Sequence, residues 1–206
     1  MPNQRFSKLD TKKQEAIYKI ALMEFAKHGY NGASLTRIMK EVQMSKGSLY
    51  YYFENKEDLF LSLYQRERAK GLMHFKELFE KNKKKDEFWE MFGRILRKQF
   101  QWASKTPEVI AMRRCMAELS YATLEVETVR AIKADSIKYF QLFIESGQER
   151  NAIRRDIPLE LLAYLMDQFR ELILSYYQTF RNQSGNRALN KMQVITVDLF
   201  KRLFQP

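Results

Sequence analysis

The stretch MSKGSLYYYF, residues 44–53, decides how this chain is to be read. Ser45 can cap a short helix over Lys46 to Phe53, and Leu49 and Phe53, four apart, give it one apolar side. The remaining surface is Lys46, Gly47, Ser48, Tyr50, Tyr51 and Tyr52. Three consecutive tyrosines spread over about 200° of a helix, so they cannot all enter one core. An exposed tyrosine can donate its hydroxyl to a phosphate and lay its ring on the sugar backbone. The competing reading packs one of them back on an earlier helix. Gly47 costs about 1 kcal/mol relative to alanine inside a helix. Either close approach to a ligand or close packing on the preceding helix accounts for it.

Upstream, a first helix should start near Thr11, where Thr11 and Gln14 have capping-box spacing. Ile17, Ala21 and Phe25 form its apolar stripe, Gly29 ends it, and Asn31 and Gly32 make a turn. Ser34 can cap a second helix over Leu35 to Val42, with Ile38 and Val42 inward. Gln43, Met44 and Ser45 form the next turn. Two short helices joined by a tight turn form a helix-turn-helix. The first two helices hold the third rigidly, and its polar side can enter a major groove about 12 Å wide. Downstream, Asn55 caps a fourth helix, whose positive end suits Glu57 and Asp58. Lys56 opposes that dipole. A phosphate placed there reverses the sign, and a solvated lysine is the alternative.

The whole chain repeats this helical pattern. It has 206 residues, 45% hydrophobic, with only 7 Gly and 4 Pro. Apolar residues recur at spacings of three and four, and no alternating strand pattern stands out. Further helices are expected near 56–81, 86–105, 107–120, 124–147, 158–181 and 188–205. The run Lys83 to Lys85 reads as a turn and Asn182 to Arg187 as a loop. The fold class is all-α, with a DNA-binding domain over 1–55 and a helical regulatory and dimerisation domain over 56–206.

Composition narrows the function classes. The net charge is +11, which suits nucleic acid or an anionic surface. Residues 1–56 carry ten Lys/Arg and five Asp/Glu, over twice the charge density of the remainder. No apolar run approaches the roughly 18 residues of a membrane span. Met1 to Asp10 lacks a signal-peptide core, so a cytoplasmic protein is expected. Cys115 is the only cysteine; an intrachain disulfide is impossible and packing as a small apolar residue is the expectation. No metal site, catalytic residue or cofactor is expected. His28 and His74 are the only imidazoles and neither sits in a motif, while phosphate loops and Ser-His-Asp orders are missing.

The residues from Ala16 to Leu63 resemble the signature of the TetR family. The resemblance rests on Ile17, Ala21, Phe25, Gly29 and Tyr30, then LTRI at 35–38, MSKGSLYYYF at 44–53 and NKEDL at 55–59. Met39 and Gln43 stand where the family often has Ala and Gly, and Tyr52 where it often has His. Downstream, Gly147 and the run from Ile153 to Pro158 look like the family's entry to its penultimate helix. The resemblance implies a two-domain homodimer that represses transcription from a near-palindromic, double-stranded DNA operator. It implies DNA contact by Thr36, Lys46, Gly47, Ser48, Tyr50, Tyr51, Tyr52 and Lys56, with Arg37 beside them. It also implies a small-molecule effector bound between the middle helices.

For that effector, expected to be apolar or aromatic, the candidates are Trp89, Phe92, Met112, Met116, Tyr139, Phe143, Met166 and Phe169. Core packing is the competing account of each. Glu90, Glu118, Asp167 and Glu171 are either solvated or suited to a cationic ligand. The last two helices carry more apolar surface than one core needs. Leu165, Leu172, Tyr176, Ile195, Leu199 and Leu203 are therefore candidates for the dimer interface, unless both helices are buried within one chain. The alternative function is a non-specific or architectural DNA-binding protein without an effector.

Overall fold

The structure, a computed structural model, describes residues 4–82, 87–122, 126–180 and 185–206. Among them the elements are α1 Gln4–Ser7, α2 Thr11–Gly32, α3 Leu35–Val42, α4 Lys46–Tyr50, α5 Lys56–Asn82, α6 Phe88–Lys105, α7 Pro107–Ala122, α8 Val126–Glu149, α9 Leu159–Phe180 and α10 Gly185–Phe204. The described residues are all-α. The Lys83–Lys85 turn lies outside them. So does the start of the expected 182–187 loop, whose last three residues already belong to α10.

The chain divides into two compact units. The first is 1–70 with 108–125, and the second is 71–107 with 126–206. The first unit extends past residue 55 because α5 completes its core. Ile17, Ala21 and Phe25 of α2 are fully buried, as are Leu59, Phe60 and Leu63 of α5. The Phe25 and Phe60 rings meet at 4.9 Å, and Tyr18 Oη shares a 2.5 Å hydrogen bond with Ser62 Oγ. Burial raises the Tyr18 pKa against the opposing effect of that bond. Cys115 is buried here too, its thiol 3.6 Å from the Phe25 carbonyl.

Helix starts follow side-chain chemistry, with one shift. Asp10, not Thr11, caps α2, accepting from the Lys12 and Lys13 amides. A carboxylate placed before the helix reaches those amides and suits the positive end. Gly29 interrupts α2 rather than ending it, with φ 68° and ψ 177°, a conformation open to glycine alone. The chain regains helical form up to Gly32. This redirection stacks Tyr30 against Phe25 and brings it edge-on to Phe60.

In the second unit α8 packs on α9 and α6 on α10. The core is aromatic: Phe143 meets Phe88, Phe92 and Phe75 at 4.9, 5.6 and 5.5 Å, and Phe92 meets Phe200 at 5.0 Å. A side chain at Gly147 would lie 2.6 Å from Ile153 and 2.8 Å from Phe88, so the turn after α8 closes only on a glycine. The following Arg154 amide donates to the Phe204 carbonyl at 2.8 Å, tying that turn to the end of α10.

Candidate nucleic-acid interface

Helix α4 is presented by a set of short-range bonds. Ser34 Oγ accepts from the Arg37 amide to start α3. At its end Gln43 takes the left-handed conformation (φ 57°, ψ 42°), and the Met44 amide returns to the Met39 carbonyl at 3.0 Å. Ser45 Oγ then accepts from the Ser48 amide and bonds Ser48 Oγ at 2.8 Å. The regular part of α4 is shorter than the sequence suggests: it stops at Tyr50, and a tighter turn carries Tyr51 and Tyr52 to Phe53. Leu49 and Phe53 are 1% and 2% exposed, whereas Tyr50 and Tyr51 are 44% and 51% exposed. The helix is anchored on one side and open on the other.

The expected residues fall into two groups. Thr36, Gly47, Tyr50 and Tyr51 are exposed, Ser48 is half-buried through its cap, and Lys46 is the first residue of α4. A Cβ built on Gly47 meets nothing within 4 Å. Packing on the preceding helix therefore does not account for this glycine. The other residues are engaged within the chain. Tyr52 leans on Phe6, with ring centres 5.8 Å apart. Arg37 donates to Glu24 Oε1 through Nε at 2.9 Å and Nη2 at 2.5 Å, and to the Gly32 carbonyl at 2.6 Å.

Glu24 is the centre of that latch, for it also accepts from the Ser34 amide at 2.8 Å. Burial works to raise its pKa, but the bonds from Arg37 and Ser34 prevail and hold it below the ordinary value. His28 Nε2 lies 3.8 Å from the second Glu24 oxygen.

Lys56 does not stand alone against the dipole of α5. Its ammonium donates to the carbonyls of Tyr30, Asn31 and Ala33 at 2.9, 3.3 and 3.4 Å. Asn55 Oδ1 accepts from the Asp58 amide, and Asp58 Oδ2 accepts from the Glu54 amide, a reciprocal cap that fixes where α5 begins. Sequence reasoning missed α1 altogether. Its signal was Phe6, an aromatic residue in a polar N-terminus.

The proposed effector residues divide between the units. Met112 and Met116 are buried in the first. Trp89, Phe92, Tyr139, Phe143, Met166 and Phe169 belong to the second, where Phe92, Tyr139, Phe143 and Met166 are buried. Two of them hold buried polar atoms without a hydrogen-bond partner among the described residues, Trp89 Nε1 and Tyr139 Oη. Burial, with Glu80 adding to it, raises the Tyr139 pKa. An open groove of about 500 Å³ runs between α6 and α10 past Trp89, Arg94, Arg97, Gln193 and Lys201. Of the acidic residues, Glu90 is exposed and lines that groove. Asp167 is fully buried rather than solvated, 3.5 Å from Arg170, which also binds Glu171 at 2.7 Å. The Glu118 side chain lies outside the described residues.

Large apolar residues stay exposed on α9 and α10. Leu172, Tyr176, Ile195, Leu199 and Leu203 are 64, 51, 40, 47 and 42% exposed, and Leu165 is half-buried. No helix among the described residues is long and apolar enough to cross a membrane.

Comparison with known proteins places this geometry. Residues 17–63 match the pattern of the bacterial regulatory proteins of the tetR family. The HTH-type transcriptional repressor AcnR of Corynebacterium diphtheriae is 26% identical over 169 residues, 82% of this chain and 84% of that protein. A TetR family transcriptional regulator from Chloroflexus aurantiacus superposes with a TM-score of 0.63 at 21% identity, over 100% of this chain and 99% of that one. The regulator FadR of Bacillus subtilis, solved in complex with stearoyl-CoA, gives 0.71 at 18% identity, over 90% and 96%. These relatives are regulators, not enzymes, and residues 17–63, which hold the helix-turn-helix from α3 through α4, carry the pattern of the tetR family of bacterial DNA-binding regulators.

Proposed function

We propose that this protein is a cytoplasmic homodimeric repressor that binds a near-palindromic operator and leaves it when a small molecule binds. Residues 1–55 act as the reading head and 56–206 as the regulatory and dimerisation body. The observation that carries the reading is the one-sided anchoring of α4, with Tyr50 and Tyr51 exposed and Leu49 and Phe53 buried. Thr36, Lys46, Gly47, Ser48, Tyr50 and Tyr51 meet the DNA. Arg37, Tyr52 and Lys56 act mainly by fixing α4 in place. The repressor sense is supported by the relative AcnR, itself named a repressor.

Dimerisation is supported by the exposed apolar residues of α9 and α10, a patch that water would otherwise cover. A two-fold dimer calls for two half-sites about one helical turn or a multiple apart. The effector reading is supported by the orphaned Trp89 and Tyr139 groups, since a buried unmet donor costs about 1–3 kcal/mol and an acceptor on a ligand would recover it. Arg94, Arg97 and Lys201 outnumber Glu90 and Asp198 around the groove and favour an anionic end on an apolar or aromatic body over a cationic one. Stearoyl-CoA, which FadR of Bacillus subtilis holds, is a compound of that kind.

Selection from a random duplex library, followed by footprinting, tests the reading. A symmetric site preferred by about three decades or more over random DNA supports it. Equal affinity for all sequences would leave the protein an architectural DNA binder.

A further inference from the structure

We propose that α1 belongs to the DNA-binding surface, and that Arg5, laid on the ring of Tyr51, contacts a backbone phosphate beside α4. The proposal rests on the DNA-binding reading above and adds to it an element outside the helix-turn-helix.

A four-residue helix has almost no stability of its own. What holds α1 is Phe6, 2% exposed, whose ring meets Phe53, Tyr18 and Tyr52 at 4.7, 5.2 and 5.8 Å. Two of these partners, Tyr52 and Phe53, close the end of α4. The chain between α1 and α2 is tied as well, since Gln14 Nε2 donates to the Leu9 carbonyl at 2.7 Å. The residue before Phe6 is therefore carried at a fixed place beside α4. That residue is Arg5, exposed, with its guanidinium carbon 4.6 Å from the centre of the Tyr51 ring.

A guanidinium is a planar fork of N–H donors that matches phosphate oxygens, and a ring face attracts it without using up those donors. The Tyr51 ring holds the guanidinium beside α4 before any DNA arrives. Tyr51 is itself half-exposed and braced edge-on by Tyr52 at 5.2 Å, so the pair presents one ordered cation on the open side of α4. The local field agrees. The first 13 residues hold Arg5, Lys8, Lys12 and Lys13 against the single acid Asp10, and all four cations are exposed while Asp10 is occupied as the α2 cap.

The test is the salt dependence of binding to a random-sequence duplex of about 30 base pairs, chosen because a phosphate contact is blind to sequence. Wild type, Arg5→Ala, Tyr51→Ala, the double variant and Lys98→Ala, an exposed residue of α6 in the second unit, are compared. Losing one phosphate contact lowers the slope of log K against log salt by about 0.9. Arg5→Ala is expected to show that drop with an unchanged melting temperature, and Lys98→Ala neither. The double variant is expected to lose less than the product of the two single losses, because Tyr51→Ala already releases Arg5. A wild-type slope in Arg5→Ala overturns the proposal and leaves the DNA-binding reading standing. Losses that simply multiply overturn the stacking on Tyr51. If the wild type fails to bind duplex even at low salt, both readings fall together.

Discussion

The ammonium of Lys56 donates to the Tyr30 carbonyl at 2.9 Å and stands 4.7 Å from the centre of the Tyr30 ring. A cation at the start of α5 is thereby set against the carbonyl end of α2, where a helix dipole welcomes it. The left-handed step at Gly29 turns these carbonyls toward it. Lys56 thus joins the two helices that flank the helix-turn-helix.

Lys56→Ala is accordingly expected to destabilise the first unit by about 1–2 kcal/mol, since charged hydrogen bonds of this kind are lost and carbonyls are left unmet. DNA binding should weaken alike on operator and random duplex, with no change in preferred bases. Lys46→Ala should instead alter base preference, by roughly 1–3 kcal/mol if the side chain reaches a base edge. Thermal melts and binding to a panel of single-base operator variants check both. A Lys56→Ala protein that melts like wild type contradicts the tie.

The Glu24 latch predicts an acid sensitivity. Its carboxyl pKa is held below the ordinary 4.5, so the unfolded chain takes up its proton first as pH falls. The latch stabilises fully above that value and is lost progressively below it. Glu24→Gln should lower the melting temperature at neutral pH by a few degrees and flatten its decline under acid conditions. Arg37→Ala should do the same while leaving the salt slope of DNA binding intact. A steep loss of slope would show Arg37 on a phosphate instead of on Glu24.

Gln43 predicts a stabilising change. It sits at φ 57° after α3, in a region where a side chain costs roughly 1 kcal/mol. The family often has glycine there. Gln43→Gly should raise the melting temperature and leave DNA binding in place. A lower melting temperature would mean that the Gln43 side chain makes contacts worth more than the strain.

These sites show what the sequence can and cannot display. The helices were legible because Ile17, Ala21 and Phe25, or Leu49 and Phe53, repeat at helical spacing, and because Ser34, Ser45 and Asn55 announce helix starts chemically. The partners of the polar residues were not legible. Arg37 and Glu24 are 13 positions apart and Lys56 and Tyr30 are 26 apart, so only the kink at Gly29 and the packing of α2 bring them together. Without those partners, Arg37 and Lys56 read as DNA contacts. Helix α1 was hidden because four residues are too few to show a period, and its one anchor, Phe6, meets residues 12 to 47 positions away. The aromatic residues of the middle helices were visible as types, but composition does not distinguish a cavity lining from a core. Burial at Phe92 and Phe143 now favours the core role for these two.

The exposed leucines predict an interface that can be cut without unfolding the protomer. Leu199 is 47% exposed, so Leu199→Glu adds a charge where the isolated chain already meets water. Sedimentation should show a dimer for wild type at micromolar concentration and a weakened one, by at least tenfold, for the variant, since a central apolar contact is replaced by a desolvated carboxylate. Helix content should be unchanged and operator binding should fall with the dimer. A variant that stays dimeric moves the interface elsewhere.

Tyr139 separates stability from control. Its ring is packed with Phe75 and Phe79 at 5.7 and 6.2 Å, and its hydroxyl has no partner among the described residues. The raised pKa keeps that hydroxyl protonated, and so a donor, throughout the working range of pH. Tyr139→Phe keeps the ring and removes the unmet group, so the ligand-free variant should melt at the wild-type temperature or higher. If an effector accepts from this hydroxyl, the same change must weaken effector binding. By linkage, an effector that loosens the operator tenfold binds the operator-bound protein tenfold more weakly, a coupling of about 1.4 kcal/mol. Screening stearoyl-CoA and aromatic compounds by thermal shift identifies binders, because a ligand at 100 times its dissociation constant adds about 2.7 kcal/mol. A mobility assay on the selected operator then asks whether each binder releases it. The expected pattern is a variant at least as stable as wild type, equal in ligand-free operator binding, and requiring more effector for release. A variant that melts lower shows that the hydroxyl already has a partner. One that responds to effector like wild type removes Tyr139 from the control site.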